Sequence, residues 1–560
     1  MTEDQLNNYL QFLSENEFIV TKKSCSAFTA QLNVLGQKVT VDCELPEFFP
    51  YVFPIVRLSE ESRKTFRGIP HIIKDNSLCL FNSADAQPNF LAPRELILST
   101  LRKAEEVLRK GQSGENEDDF QVEILNYWGK DNRYDIRFFS PLPSNPSRIY
   151  VSYAKDSFQP FYIATTNKSD NESLFKHISY KDLETTPEKG IFIPLTSGFS
   201  SHDVSTEKKM WSVIEQRTST QTKRKIIAEL SSIDPHIQHF FIVSFPDQNQ
   251  DNVLVAWRGS SMSRLDGFRR GHISPFLYWN MQQETGAQII KASVTPCMQP
   301  HLFYRGSYGY EFRFRSAAIV GCGSVGSHLA KMLSSMGTDK FLLIDKETLE
   351  VNNIARHVCG FSEVGLPKAC ALKLHLEQQN PNVYCDVYQQ DAFSEVKRRS
   401  EEINQCDALF IAVGELPLEA YILNLAIQGI ITVPIVITWV EPRCYAAHLV
   451  YIKQYECAFE KLVCRETMTY RDSVICDASE FVLHESGCQS GFVPYSGLDV
   501  QNYLSVCLHM LSRIGHQDSI QGNYHMIWIG ELSEARRNKI TINPDYSNSK
   551  DYSVFLKRFD

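Results

Sequence analysis

No CxxC pair occurs anywhere in the chain, although it holds 15 cysteines. An odd, scattered set without paired knuckles argues against a secreted disulfide framework and against a structural zinc site. Reduced thiols are expected instead. No apolar run reaches the roughly 20 residues of a spanning helix, and the acidic, polar stretch Met1–Glu15 shows no signal-peptide pattern. A cytoplasmic protein is expected. Basic residues are not in excess either: 57 Lys and Arg stand against 66 Asp and Glu, a net charge of −9. Neither nucleic acid nor an anionic membrane is therefore expected as the main partner. What is present is an ordinary globular composition, 43% hydrophobic and 22% charged, spread over 560 residues. At roughly 150 residues per domain, that length calls for three or four domains.

Three blocks separate along the chain. In residues 1–110, Leu6, Tyr9, Leu10 and Leu13 recur at helical spacing behind Thr2, a plausible cap. Extended segments follow at Phe28–Leu35, Lys38–Cys43 and Val52–Leu58, then a helix from Pro93 with the stripe Ile97, Leu101, Ala104 and Leu108. Residues 111–119 (GQSGENEDD) read as a linker, being Gly-rich, charged and without apolar residues. Residues 120–310 alternate short strands, such as Arg148–Tyr153 and His239–Phe245, with polar breaks, and show no catalytic cluster; a structural role is expected. From Arg315 the pattern turns to regular αβ alternation, with strands Ala317–Val320, Phe341–Asp345, Ala408–Val413 and Ile431–Ile437 and a helix Ser327–Met336. That is the pattern of a doubly wound sheet.

The first of these strands runs into Gly321-Cys322-Gly323-Ser324-Val325-Gly326. Such glycines let backbone N–H groups and a helix N-terminus approach a phosphate. Asp345 ends the next strand, where a carboxylate can accept bonds from ribose hydroxyls. Asn353 and Arg356 follow, and Lys368 opens the next helix. Two cations and an amide suit a triphosphate, whose charge must be neutralised during attack at phosphorus. A dehydrogenase needs none of this.

Together, Gly321–Gly326, the Leu342–Asp345 strand end, Asn353–Arg356 and Pro367-Lys368 resemble the adenylation domain of the ThiF/MoeB/ubiquitin-activating superfamily over about residues 311–510. The resemblance implies ATP-dependent adenylation of a C-terminal glycine carboxylate on a ubiquitin-like protein. It assigns ribose to Asp345 and the phosphates to Asn353, Arg356 and Lys368. The family's magnesium-binding Asp is missing after the strand Asp407–Val413; Gly414-Glu415 stands there. Glu415 is the candidate Mg²⁺ ligand, a role open to carboxylate oxygen, and Asp407 is expected to be structural.

A carboxyl-adenylate is open to attack by a thiolate. Of Cys444, Cys457, Cys464, Cys476 and Cys488, the last sits in a polar, glycine-rich stretch (HESGCQSG) before the helix Val500–Leu511. This resembles the family's catalytic cysteine. Cys322, Cys370 and Cys507 fall on elements expected to be buried. In the first block, Glu44–Leu58, Ile69-Pro70-His71-Ile72 and Leu78-Cys79-Leu80 resemble the ubiquitin-conjugating fold, with Cys79 as its active cysteine. His71, eight residues earlier, replaces the family's oxyanion-stabilising Asn, and an imidazole N–H can donate the same bond.

A chain with both blocks resembles the fused activating and conjugating enzymes of CBASS antiphage operons. The expected fold is a multidomain α/β protein. Its parts are an N-terminal ubiquitin-conjugating-like α+β domain (1–110), a middle degenerate adenylation-like α/β domain (120–310) and a C-terminal Rossmann-like ThiF domain (311–560). The resemblance implies adenylation with ATP and Mg²⁺, a thioester on Cys488, transfer to Cys79 and conjugation to an acceptor lysine. The implied carrier is the C-terminal tail of a CD-NTase (a cyclic-oligonucleotide synthase) or a ubiquitin-like protein. A homodimer through the adenylation domain is also implied. A sulfur-carrier adenylyltransferase, which would not need the first block, and a silent scaffold, which would not need Arg356 and Lys368, are the alternatives.

Overall fold

The computed structural model describes residues 2–559 apart from 67–68, 74, 82–85, 117–118, 120–123, 129–133, 156–158, 180–185, 201–203, 248–251, 262–278, 281–285, 305–313, 478–480, 485–490 and 517–521. The chain divides into two compact units, Met1–Pro296 and Cys297–Asp560.

The first unit opens with the helix Glu3–Glu15, closed by a reciprocal cap. The Gln5 N–H donates to Thr2 Oγ1, and the Thr2 N–H donates to Gln5 Oε1. An antiparallel meander follows: β1 (Ile19–Lys22), β2 (Ala27–Val34), β3 (Gln37–Glu44) and β4 (Ile55–Leu58). Along β2 the alternate residues Phe28, Ala30, Leu32 and Val34 are buried, the two-residue period of a half-covered sheet. The helix Pro93–Ser113 covers that face with Ile97, Leu101, Ala104 and Leu108, all fully buried. β4 is shorter than the extended segment expected from Val52, because Pro54 has no N–H for the ladder.

The helix also runs three residues into the expected linker, ending at Gly114 in the left-handed region (φ +76°). Gly111 is not a flexible joint. A Cβ there would collide with the Ile69 side chain, so this glycine lets the segment leading to His71 pack on the helix backbone.

The rest of the unit is a closed barrel of β5 (Asp135–Phe138), β6 (Ser147–Ala154), β7 (Phe161–Thr165), β8 (Glu188–Pro194), β9 (Phe240–Pro246), β10 (Asn252–Arg258) and β11 (Ile290–Pro296). Its order is β10-β11-β5-β7-β6-β8-β9, with parallel and antiparallel pairs mixed. Phe138, Ile149, Phe192, Ile242 and Leu254 belong to one of its two cores. Trp211 and Trp257 belong to the other, with the helices Glu207–Gln216 and Thr220–Leu230. This closed barrel differs in topology from the open sheet of the second unit.

The second unit holds an eight-stranded sheet of order β14-β13-β12-β15-β16-β17-β22-β23. The strands are β12 (Ser316–Val320), β13 (Lys340–Ile344), β14 (Tyr384–Tyr388), β15 (Ala408–Ile411), β16 (Ile435–Val440), β17 (Ala446–Ile452), β22 (Asn523–Ile529) and β23 (Val554–Phe559). Two short antiparallel ribbons stand apart from this sheet, β18–β19 (Val463–Cys464, Thr469–Tyr470) and β20–β21 (Leu483–His484, Gly491–Phe492). The first five strands are parallel and the last three pairings antiparallel. Helices Ser324–Met336, Lys368–Gln379 and Gly497–His516 pack in one core, and Leu416–Ile427 packs in the other. β16 begins at Ile435 rather than at Ile431, since Pro434 cannot donate to the ladder. β12 lies between β13 and β15, which makes its carboxyl end the switch point where ligands bind in open α/β sheets.

Leu101→Ala should cost about 2–5 kcal/mol, the range for emptying a buried leucine site. It would be read as faster amide exchange across β2 and β3. Leu91→Ala, at a side chain 84% exposed, should change the same amides by less than about 0.5 kcal/mol.

Candidate active site

The loop after β12 is built on two close approaches. A Cβ on Gly326 would sit on the Gly321 carbonyl oxygen, and one on Gly321 would lie 2.7 Å from Val413 Cγ1, with Gly321 itself at φ +90°. Gly323 caps the helix Ser324–Met336 without a side-chain acceptor, so the first-turn N–H groups lack a capping side chain. Asp345 ties the loop to the neighbouring strand: Oδ2 accepts the Cys322 N–H (2.6 Å) and Oδ1 the Glu347 N–H (2.7 Å). Burial pushes the Asp345 carboxyl above the usual carboxylate range, and the two N–H donors pull it back.

Two pockets adjoin at this loop and share Gly323, Ala412 and Val413. Val320, Asp345, Lys346, Asp391, Phe393 and Glu415 line one. Asn353, Arg356, Lys368, Trp439 and Tyr495 line the other. The structure therefore brings Gly321, Gly323, Asp345 and Glu415 to one compartment, and Asn353, Arg356 and Lys368 to the next. Gly326 stands behind the loop as a packing glycine. The Arg356 guanidinium lies 4.9 Å from the Tyr495 ring centroid, and the Arg356 carbonyl accepts the Ser324 hydroxyl (2.6 Å). Lys368 is buried and ion-paired with Glu347, while its N–H donates to the Glu347 carbonyl (2.8 Å). Asn353 Oδ1 accepts the Glu350 N–H (3.0 Å). Asp407 is structural: its carboxylate takes both the N–H and the hydroxyl of Ser316.

Several residues of this site carry no sequence signal. His357 donates from Nε2 to the Cys322 carbonyl (2.8 Å) and accepts the Cys359 N–H at Nδ1 (3.1 Å). Burial lowers its pKa, which keeps it in this neutral tautomer. Trp439 stacks on His448 (centroids 4.5 Å) and on Tyr470 (3.9 Å). The Tyr470 hydroxyl bonds the buried Glu419 carboxyl, which desolvation, then Glu415, push up to about 8. Tyr495 and Trp439 come from segments more than 70 residues beyond the last motif residue, Lys368, so no spacing rule reaches them.

Cys488 lies outside the described residues. Among those described, Cys25, Cys79, Cys457 and Cys476 are exposed, whereas Cys444 is buried and its thiol is pushed up to about 12. Cys322 and Cys507 are buried as expected; Cys370 is only half-buried, and the Gln389 side-chain amide donates to its sulfur (2.7 Å). In the first unit, His71–Ile73 and Ser77–Cys79 form a tight antiparallel ribbon. The Cys79 N–H donates to the His71 carbonyl (2.8 Å) and the Ile73 N–H to the Ser77 carbonyl (2.8 Å), so His71 and Cys79 stand opposite each other. The His71 imidazole lies 2.8 Å from Asp119 Oδ2, and the His71 N–H donates to the Tyr127 hydroxyl (2.7 Å).

Residues 310–479 match the ThiF family, and residues 6–135 match the Prokaryotic E2 family B. The chain thus joins a conjugating-type domain to a ThiF domain with a Rossmann-like sheet. Over 473 residues it is 22% identical to the ATP-dependent ubiquitin transferase-like protein Cap2 of Pseudomonas aeruginosa, covering 81% of each chain. It is 25% identical to Cap2 of Enterobacter hormaechei over 29% of this chain and 27% of that protein. It is 35% identical to tRNA threonylcarbamoyladenosine dehydratase 1 of Saccharomyces cerevisiae over 18% of this chain and 21% of that one. The chain is a Cap2-like fusion and a ubiquitin transferase-like enzyme. Among solved structures, PaaA (TM-score 0.29, 18% identity) and E. coli MccB (0.30, 13%) each match 44% of this chain. The chain spans just under two thirds of their lengths, 65% and 63%. Similarity that low carries no argument here. No described helix is long and apolar enough to cross a membrane.

An acid with a raised folded-state pKa stabilises the fold below its unfolded value, near 4.5, and loses that contribution as pH climbs to about 8. Glu419→Gln should therefore flatten the fall in stability of the second unit between pH 4.5 and 8. Denaturation at a series of pH values reads the slope directly.

Proposed function

We propose that the chain adenylates the C-terminal glycine of a ubiquitin-like protein or a CD-NTase with ATP, captures it as a thioester on Cys488, passes it to Cys79 and conjugates it to an acceptor lysine. In a bacterial cell this would prime antiphage signalling. The observation that carries the reading is the pair of adjoining pockets at the switch point, one lined by Asp345 and one by Arg356 and Lys368. In the first pocket Asp345 accepts the ribose hydroxyls. In the second, the carrier carboxylate attacks the α-phosphorus, the α–β phosphoanhydride bond breaks and pyrophosphate leaves, while Arg356, Lys368 and Asn353 stabilise the charge that develops on the phosphate oxygens. Lys368 must exchange its bond to Glu347 for the phosphate, which makes Glu347 a holder of the lysine before substrate binds.

Mg²⁺ usually binds through one or two carboxylates together with phosphates and water. Glu415 supplies one such carboxylate at the pocket wall, so the donor set fits; no ready-made group of three ligands exists among the described residues. When bound, the ion offsets phosphate charge. The middle block, whose closed barrel departs from the open sheet expected of a degenerate adenylation-like domain, has a structural task, and the second unit self-associates into a homodimer. No nucleic acid or membrane takes part, and the protein works in the cytoplasm. Holding both cysteines in one chain raises their effective concentration for the handover.

Arg356→Ala and Lys368→Ala should each cost about 2–4 kcal/mol in the adenylation transition state. Carrier-dependent exchange of pyrophosphate into ATP measures this, and exchange at full rate in both variants contradicts the site. His71 serves the tetrahedral step of discharge from Cys79. His71→Ala should permit charging but slow discharge to amine about a hundredfold, with His71→Asn restoring part of the rate.

A further inference from the structure

We propose that Asp119 is a positioning residue for His71, and that the two form a dyad in which His71 Nδ1 takes the proton of the attacking amine at the Cys79 thioester. The inference rests on the reading of Cys79 and His71 above and adds to it the residue that orients the imidazole. Three observations carry it. The imidazole Nε2 lies 2.8 Å from Asp119 Oδ2, with the His71 side chain 17% exposed. A carboxylate can only accept, so Nε2 carries the proton and the neutral ring offers Nδ1 as an acceptor.

The His71 backbone is held at φ +66°, a left-handed conformation that a non-glycine residue keeps only when its surroundings enforce it. Here its N–H is fixed by Tyr127, its carbonyl by Cys79 and its ring by Asp119. Strain held by three independent bonds is found where a side chain must be aimed.

Both fixing side chains come from beyond residues 1–110. Tyr127 sits on the short helix Ile124–Trp128, whose Trp128 is buried in a barrel core and donates from Nε1 to the Ala256 carbonyl (2.8 Å). The conjugating site is thus completed by the segment that ties it to the barrel, a segment that itself lies within the stretch matching the conjugating family.

The amine nitrogen bonds to the thioester carbonyl carbon, and its proton passes to His71 Nδ1. The imidazolium, stabilised by Asp119, then faces the tetrahedral oxyanion as a donor. Collapse breaks the C–S bond, and the departing Cys79 thiolate recovers the proton. Asp119 stays ionised throughout, as the carboxylate of a Ser-His-Asp triad does.

The test uses the full chain. Cys79 is charged by exchange with a synthetic peptide ending in Gly-Gly, supplied as a mercaptoethanesulfonate thioester, and mapped by mass spectrometry. Discharge to free lysine is then timed. Asp119→Asn should charge normally, melt as wild type does and discharge about 10–100 times more slowly. It should lose the rise of rate with pH that His71 confers, and adding it to His71→Asn should cost nothing further. The titratable groups placed on His71 include Asp119, Tyr127 and, across the ribbon, Cys79. Cys79 is acylated in this assay and has no thiol to titrate, so a Tyr127→Phe control shows whose ionisation the profile reports. Asp119→Asn at the wild-type rate beside a slow His71→Ala overturns the dyad and leaves the reading of His71 standing. His71→Ala at the wild-type rate overturns both. If Asp119→Asn does not fold, Asp119→Glu keeps the carboxylate and must keep the pH dependence; its loss there also contradicts the dyad.

Discussion

Contact between Gly326 and the Gly321 carbonyl, with no room for a single methyl group, sets the geometry on which the second unit depends. It brings the helix Ser324–Met336 close against the end of β12, so the turn between them is tight. The same turn presents the Cys322 N–H to Asp345, and the Cys322 carbonyl to His357. Two strand ends, a helix start and the segment carrying His357 are therefore fixed relative to one another. Preorganisation of this kind is what makes backbone donors effective at a phosphate, since no reorganisation is left for the reacting state.

Electrostatics divides the crevice in two. Asp345, Asp391 and Glu415 line the first compartment, while Arg356 and Lys368 line the second. Lys368 is paired with Glu347, and Arg356 lies against the Tyr495 ring. Each cation has a partner of its own, and a polyanion can compete for both. Burial has already shifted the groups beneath: Glu419 is pushed up to about 8 and His357 is kept neutral.

How much of this could be read from sequence depends on how far the chain must travel to build each part. The glycine loop, Asp345 and the run from Asn353 to Lys368 lie on consecutive elements, so spacing alone brought them together. The stripe Ile97, Leu101, Ala104 and Leu108 was equally legible, because a helix writes its buried face in its own period. Tyr495 and Trp439 join the site only through sheet order, and Asp119 only through a segment whose composition imitates a linker. Gly111 misled for the same reason: a glycine required by Ile69 looks, in sequence, like a glycine required by nothing. In the barrel, β11 pairs with β5 from the far end of the unit, a closure that local patterns do not encode. Cys370 was misjudged because the helix Lys368–Gln379 has almost no segregation of polar and apolar faces, so position on it says little about burial.

The central claim is that two cysteines act in order on one activated carboxylate. It is tested most directly by incubating the full chain with ATP and a candidate carrier, then mapping thiol-labile adducts by mass spectrometry. In the wild type, carrier should be found on Cys79 only when ATP is present. In Cys79→Ala it should accumulate on Cys488, and in Cys488→Ala neither position should be charged. Carrier on Cys79 in the Cys488→Ala protein would contradict the account.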